Sequence, residues 1–141
     1  MPHKEHKYHH GNLRAALVEA ASRIMAERGV EKVTVREVSE VVGVSRAALY
    51  RHFDGKNALL CTVAEQGFRQ LRDRLLKEST DPNENCLEKF ERLAVTYVRF
   101  AMENPRFYRL MFSKGPVTSD PTDELKKAAK EAFVAGLSVL E

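Results

Sequence analysis

No stretch of this sequence is apolar for long enough to span a membrane, which takes about 20 consecutive apolar residues in a helix. The opening segment, Met1 to Lys7, is polar and basic with no apolar run behind it, so neither an export signal nor a transit peptide is expected. A cytoplasmic location, with no membrane contact, follows as the expectation. Cysteine is scarce: Cys61 and Cys86 stand far apart without CxxC spacing, which removes dithiol and zinc-ribbon readings. Both fall among helix-like apolar residues and are expected to be buried, reduced thiols. Catalytic signatures are missing as well: there is no GxGxxG, no GKS or GKT, no HExxH and no GxSxG. Ser45 and His52 are two helical turns apart, too far for direct proton transfer. The N-terminal histidines His3, His6, His9 and His10 offer nitrogen ligands without fixed geometry or supporting hydrogen bonds. Enzymatic activity, a cofactor and a metal are therefore not expected, and no internal repeat or low-complexity tract suggests a fibrous role.

What is present is an ordinary globular composition, 43% apolar and 30% charged over 141 residues, enough for one core or two small ones. The formal charge of +3 is unevenly placed. Residues 1–56 carry ten Lys and Arg against seven Asp and Glu, whereas residues 57–141 carry thirteen of each. All of the excess lies in the first segment, which points to an anionic partner there, nucleic acid first.

Periodicity predicts helices throughout, an all-α protein. Leu13, Leu17, Ala20, Ala21, Ile24 and Met25 recur at helical spacing after Asn12 as N-cap and before Gly29 as stop. Thr34 and Glu37 have capping-box spacing ahead of Val35, Val38, Val41 and Val42, and Gly43 ends that run. The valines favour a strand by propensity, but Glu37, Ser39 and Glu40 do not alternate as a half-buried strand requires. Val44 then plugs a turn and Ser45 caps a third helix, Arg46 to His52, with Leu49 inward and Phe53 closing the module. Two short helices joined by a glycine-containing turn form a helix-turn-helix, whose second helix enters the DNA major groove. Arg46 suits guanine acceptors, Ala47 and Ala48 permit close approach to a thymine methyl, and Tyr50, His52 and Lys56 suit phosphate oxygens. The backbone amides at the starts of helices two and three suit phosphate as well.

The stretch TVREVSEVVGVSRAALYRHFDGKNALL, residues 34–60, resembles the DNA-binding signature of the tetracycline-repressor (TetR) family. The resemblance implies that Thr34 and Arg36 approach DNA, Arg36 reaching a base, and that Ser45, Arg46, Ala47, Ala48, Tyr50, Arg51 and His52 form the recognition surface. Lys56 would hold phosphate at the start of helix four. YHHGNLRAALVEAA and FAMENPRFYRLMF are similar to a branch of the family with a Trp-His-Gly type of C-terminal domain. Two departures stand out. Ser39 replaces a common alanine, and Gly55 with Asn57 replaces the usual Ser-x-Glu cap, leaving Asp54 as the candidate cap of helix four.

The resulting division is a helix-turn-helix domain over residues 1–56 and a helical effector and dimerisation domain over residues 57–141. Helix four, 57–77, joins them, with Leu60, Ala64, Phe68, Leu71 and Leu75 on one stripe and Leu59, Val63, Gly67 and Leu76 beside it. A loop over 78–85 precedes a fifth helix facing inward through Leu87, Phe90, Ala94, Tyr97 and Ala101. Pro105 opens a short sixth helix. Asp120 and Pro121 open a seventh, with Leu125, Ala128, Ala129, Ala132, Phe133, Leu137 and Leu140 on its apolar face. That pattern is still running at Glu141, so a truncated chain is expected ahead of a naturally short one, with the family's two further helices, which dimerise and wall the ligand pocket, missing. Phe100, Met102, Phe107, Tyr108, Met111 and Phe112 read first as core and second as the lining of an effector pocket.

Taken together, the resemblance implies a sequence-specific regulator of transcription. It would be a repressor that binds a palindromic double-stranded DNA operator as a homodimer and responds to a small-molecule effector. The competing reading is a helical protein-interaction module that retains the helix-turn-helix without reading DNA.

Overall fold

The computed structural model describes residues 12–78 and 81–141. The histidine cluster, Tyr8 and the first part of the YHHGNLRAALVEAA stretch lie outside the described residues, as do two positions of the 78–85 loop. Eight α-helices form among the described residues, with no strand. They are α1 (Leu13–Arg28), α2 (Val35–Val42), α3 (Arg46–Tyr50), α4 (Lys56–Lys77), α5 (Cys86–Glu103), α6 (Pro105–Phe112), α7 (Pro116–Ser119) and α8 (Asp123–Leu140). A 3-10 turn, Val30–Lys32, follows α1. The chain divides into two compact units between Leu59 and Leu60, inside α4.

In the N-terminal unit, α1 buries Leu17, Val18, Ala20, Ala21, Ile24 and Met25. α1 packs on α2 and α2 on α3, and the core is completed by Val33, Val38, Val42, Leu49, Phe53 and Leu59. Asn12 occupies the N-cap position of α1 but makes no side-chain capping bond, so that expected cap is not formed. Val41, expected on the apolar face of α2, is exposed, and Ser39 is buried in its stead. The register is turned because Val38 and Val42, one turn apart, already define the inward stripe.

In the C-terminal unit, α4 buries Leu60, Cys61, Val63, Ala64, Phe68, Leu71 and Leu75, while Leu76 is exposed. Gly67 lets α6 come close: a Cβ built there would lie 2.5 Å from Met111 Sδ. α5 buries Leu93, Thr96 and Phe100. Of the face expected inward, the first part is turned outward, with Leu87 65% and Phe90 56% exposed and Ala94 exposed beside them, whereas Tyr97 and Ala101 are half-buried. α5 opens on a complete capping box, in which Asn85 Oδ1 accepts from the Glu88 amide and Glu88 Oε2 accepts from the Asn85 amide, both at 3.0 Å.

α8 is capped by Thr122, whose hydroxyl accepts from the Leu125 amide at 3.2 Å, rather than by Asp120 and Pro121. It buries Leu125, Ala128, Ala132, Ala135 and Val139, whereas Phe133 and Leu137 are exposed. α7 is too short for periodicity to reveal and contributes buried Val117. Cys61 is buried as expected; Cys86, the first residue of α5, is exposed.

Candidate nucleic-acid interface

The helix-turn-helix is assembled by two capping hydroxyls and a glycine. Thr34 Oγ1 accepts from the Glu37 amide at 3.0 Å and starts α2. The reciprocal half of the box is replaced: the Glu37 carboxylate takes a 2.8 Å hydrogen bond from Arg28 at the end of α1, tying the two helices together. Gly43 ends α2 at φ 83, ψ 34, a left-handed conformation that glycine adopts without a Cβ penalty. There the amides of Gly43 and Val44 both donate to the Ser39 carbonyl, at 2.8 and 3.0 Å. Ser45 Oγ then accepts from the Ala48 amide at 3.1 Å and starts α3. Each capping hydroxyl keeps its own hydrogen available for an outside acceptor.

α3 is shorter than the expected Arg46 to His52. It ends at Tyr50 because the amides of His52 and Phe53 both donate to the Leu49 carbonyl, at 2.9 and 3.0 Å, as the chain turns to bury Phe53. Arg51 and His52 occupy that turn. Leu49 is fully buried, while Arg46, Ala47, Tyr50 and Arg51 are exposed; Ala48 and His52 are half-buried. Thr34, Arg36, Ser45 and Lys56 are exposed too. Gly55 stands at the head of α4, where its carbonyl accepts from the Leu59 amide at 3.2 Å, and Lys56 is the first residue of that helix.

Among the described residues, three cations of the unit are held by carboxylates and the others are not. Arg23 pairs with Glu19 at 3.0 Å, Arg28 with Glu37 at 2.8 Å and Arg36 with Glu40 at 3.1 Å. Among the described residues no carboxylate pairs with Arg46, Arg51 or Lys56. Arg14, which lies over the Phe53 ring, and Lys32 likewise have no carboxylate partner among the described residues, so three of the five such cations of the unit fall on α3, the turn after it and the first residue of α4. Two residues escaped the sequence-based site. Arg14 places its guanidinium 4.7 Å from the centroid of the Phe53 ring, a contact between distant positions that periodicity does not signal. Glu40 pairs with Arg36, and its i,i+4 spacing was a legible signal.

The six effector candidates are not brought to one place. Phe100 is fully buried with Arg74 5.4 Å from its ring centroid, Met111 is buried against Gly67, and Met102 is 76% exposed. Phe107 is half-buried. Tyr108 and Phe112 share a cluster, with ring centroids 4.8 Å apart, and Phe68 and Tyr97 join it. The Tyr97 and Tyr108 hydroxyls are 3.1 Å apart. Burial first, then the hydrogen bond and charge repulsion with Tyr108, push the Tyr97 phenol up to about 12.

An N-terminal bundle of this construction, with cap, glycine turn, second cap and outward cations, defines a helix-turn-helix protein. The chain belongs to the tetR family of bacterial regulatory proteins: residues 17–63 match that family, and residues 90–141 match the tetracyclin repressor-like C-terminal domain. The HTH-type transcriptional regulator YobS of Bacillus subtilis is 31% identical over 98 residues, 70% of this chain and 50% of that protein. A solved protein from Rhodococcus sp. RHA1 superposes with a TM-score of 0.75 at 28% identity, over 96% of this chain and 69% of its own. A TetR family regulator from Marinobacter aquaeolei VT8 shares the fold with a TM-score of 0.62 at 23% identity, over 90% of this chain and 65% of its own. The chain spans about half the length of the curated relatives it matches. Among the described residues no helix is long and apolar enough to cross a membrane.

Proposed function

We propose that this chain reads double-stranded DNA through α3 and serves as a regulator of transcription. The observation that carries the reading is the exposure of Arg46, Tyr50, Arg51 and Lys56 along a stretch that buries Leu49 and Phe53, with no carboxylate partner for them among the described residues. In this reading Arg46 takes guanine acceptors, Tyr50, His52 and Lys56 hold phosphate, and Ala47 and Ala48 allow the helix backbone close to the base edges. Thr34, Arg36 and Ser45 flank it from the two caps and the first turn of α2. The family relatives, transcriptional regulators by name, support the same reading.

The finer proposal is a repressor that binds a palindromic operator as a homodimer, its two readers roughly 34–36 Å apart or at a multiple of that distance. A small-molecule effector would act through the C-terminal unit. Its aromatic contacts would come from Tyr108 and Phe112, the two candidates that share a cluster, joined by Phe68 and Tyr97.

Selection of bound duplexes from a random pool, followed by titration of the selected site, tests the reading. Arg46→Ala should lower discrimination between the selected site and its base-pair variants by about 1–3 kcal/mol. Lys56→Ala should weaken all duplexes alike. Enrichment of no sequence from the pool would leave the fold as an interaction module and end the DNA reading.

A further inference from the structure

We propose that Glu40 is a specificity-determining residue of the DNA reader, acting by holding the Arg36 side chain. The inference rests on the DNA reading proposed above and on the base contact that the family resemblance implies for Arg36.

Arg36 is the only cation of α2. Its Nε donates to Glu40 Oε1 at 3.1 Å, and both side chains are largely exposed, at 71% and 61%. The contact uses one edge of the guanidinium. The terminal Nη1 and Nη2 donors remain for the forked hydrogen bond that recognises guanine or a phosphate. An unpaired arginine on a helix surface samples many rotamers, and ordering it opposes binding. Glu40, one turn further along the same helix, removes part of that freedom before DNA arrives.

The same carboxylate is unfavourable for simple attraction to phosphate. The other acid on α2, Glu37, is already neutralised by Arg28. Glu40 therefore sets the charge of the outward side of α2, and with Arg36 paired to it that side offers no net positive charge to a DNA backbone. Non-specific binding, which is driven by phosphate neutralisation, is weakened, while a base that fits the held fork is still read. An exposed pair at this spacing adds little to helix stability, so its effect belongs to binding and not to folding.

The experiment compares Glu40→Ala, Glu40→Gln and Arg36→Ala in the full 141-residue chain, each titrated against a selected duplex and a scrambled one. Glu40→Ala should tighten binding to the scrambled duplex about threefold, steepen its salt dependence, and lower the selected-to-scrambled ratio about twofold, the most that an exposed i,i+4 pair can supply. Glu40→Gln keeps an oxygen acceptor for Nε and should tighten non-specific binding similarly while retaining more of the ratio. In an Arg36→Ala background, Glu40→Ala should no longer change the ratio. Equal tightening on both duplexes in Glu40→Ala would overturn the proposal, because Glu40 would then be only a nearby charge. If Arg36→Ala by itself leaves the ratio unchanged, the base contact is wrong and the reading beneath the proposal fails. Circular dichroism melts of all variants separate either outcome from unfolding.

Discussion

Ser39 shows what one hydroxyl can do in a small core. Its carbonyl anchors the turn by accepting from Gly43 and Val44, while its Oγ is buried without a hydrogen-bond partner among the described residues. A buried polar atom left unpaired costs about 1–3 kcal/mol relative to an apolar atom in the same space. Ser39→Ala should therefore raise the stability of the N-terminal unit by about 1 kcal/mol, read as a higher urea midpoint with unchanged slope. The sequence marked this position as a departure from the family pattern, but not as a defect, because neither burial nor the missing partner is encoded locally. Tyr97 has the opposite character, a polar group whose neutral form is favoured. Its folded pKa, about 12, lies above the unfolded value near 10. The stabilisation it contributes is complete below about pH 10 and is lost as pH rises from there towards 12. Tyr97→Phe should flatten the fall in denaturation midpoint across that window, and the last phenol absorbance step of the alkaline titration should vanish with it.

Helix starts and stops were mostly legible, whereas helix faces were less so. Thr34, Gly43 and Ser45 act through hydrogen bonds to neighbours three or four residues away, and such interactions are written in local sequence. The box at Asn85 and Glu88 is equally local, although the apolar pattern downstream is the stronger signal in that stretch. On α5, two overlapping stripes compete: Leu87, Phe90 and Ala94 have the right spacing, but Leu93, Thr96 and Phe100 are the ones buried. Spacing alone does not choose between them, since the choice depends on which side α4, α6 and α8 approach. The approach of α6 to α4 supplies a test at this scale. Gly67→Ala would put a methyl group 2.5 Å from Sδ of the flexible but buried Met111 side chain, so overpacking of about 1–3 kcal/mol is offset by about 1 kcal/mol of helix propensity, and the C-terminal unit should be destabilised by about 1 kcal/mol net. Met111→Ala in the same background should recover part of the loss, giving a non-additive double-mutant cycle in thermal unfolding.

Across the whole molecule, charge separates the two halves: the first 56 residues hold all of the +3 excess. With Arg36 and Arg46 given to bases and Arg36 paired to Glu40, Arg51 and Lys56 are left for phosphate, so log affinity should fall with log salt at a slope near −1.8 per chain, about 10-fold between 50 and 200 mM. A homodimer seated on two half-sites should show about twice that slope. Fluorescence anisotropy over a salt series, with sedimentation of the same complex, checks both numbers. A slope near zero would mean that these cations do not meet phosphate. The all-helical class, the capped turn and the outward identity of Arg46, Ala47, Tyr50 and Arg51 could be read from residues alone, because they depend on contacts within about one helical turn and on a periodicity of 3.6. The early end of α3, the outward turn of Leu87 and Phe90, the scattering of the six effector candidates and the pairing of Arg14 with Phe53 could not. Each is settled by where a distant segment packs, and the free energy of that packing is a sum over neighbours that no local window contains.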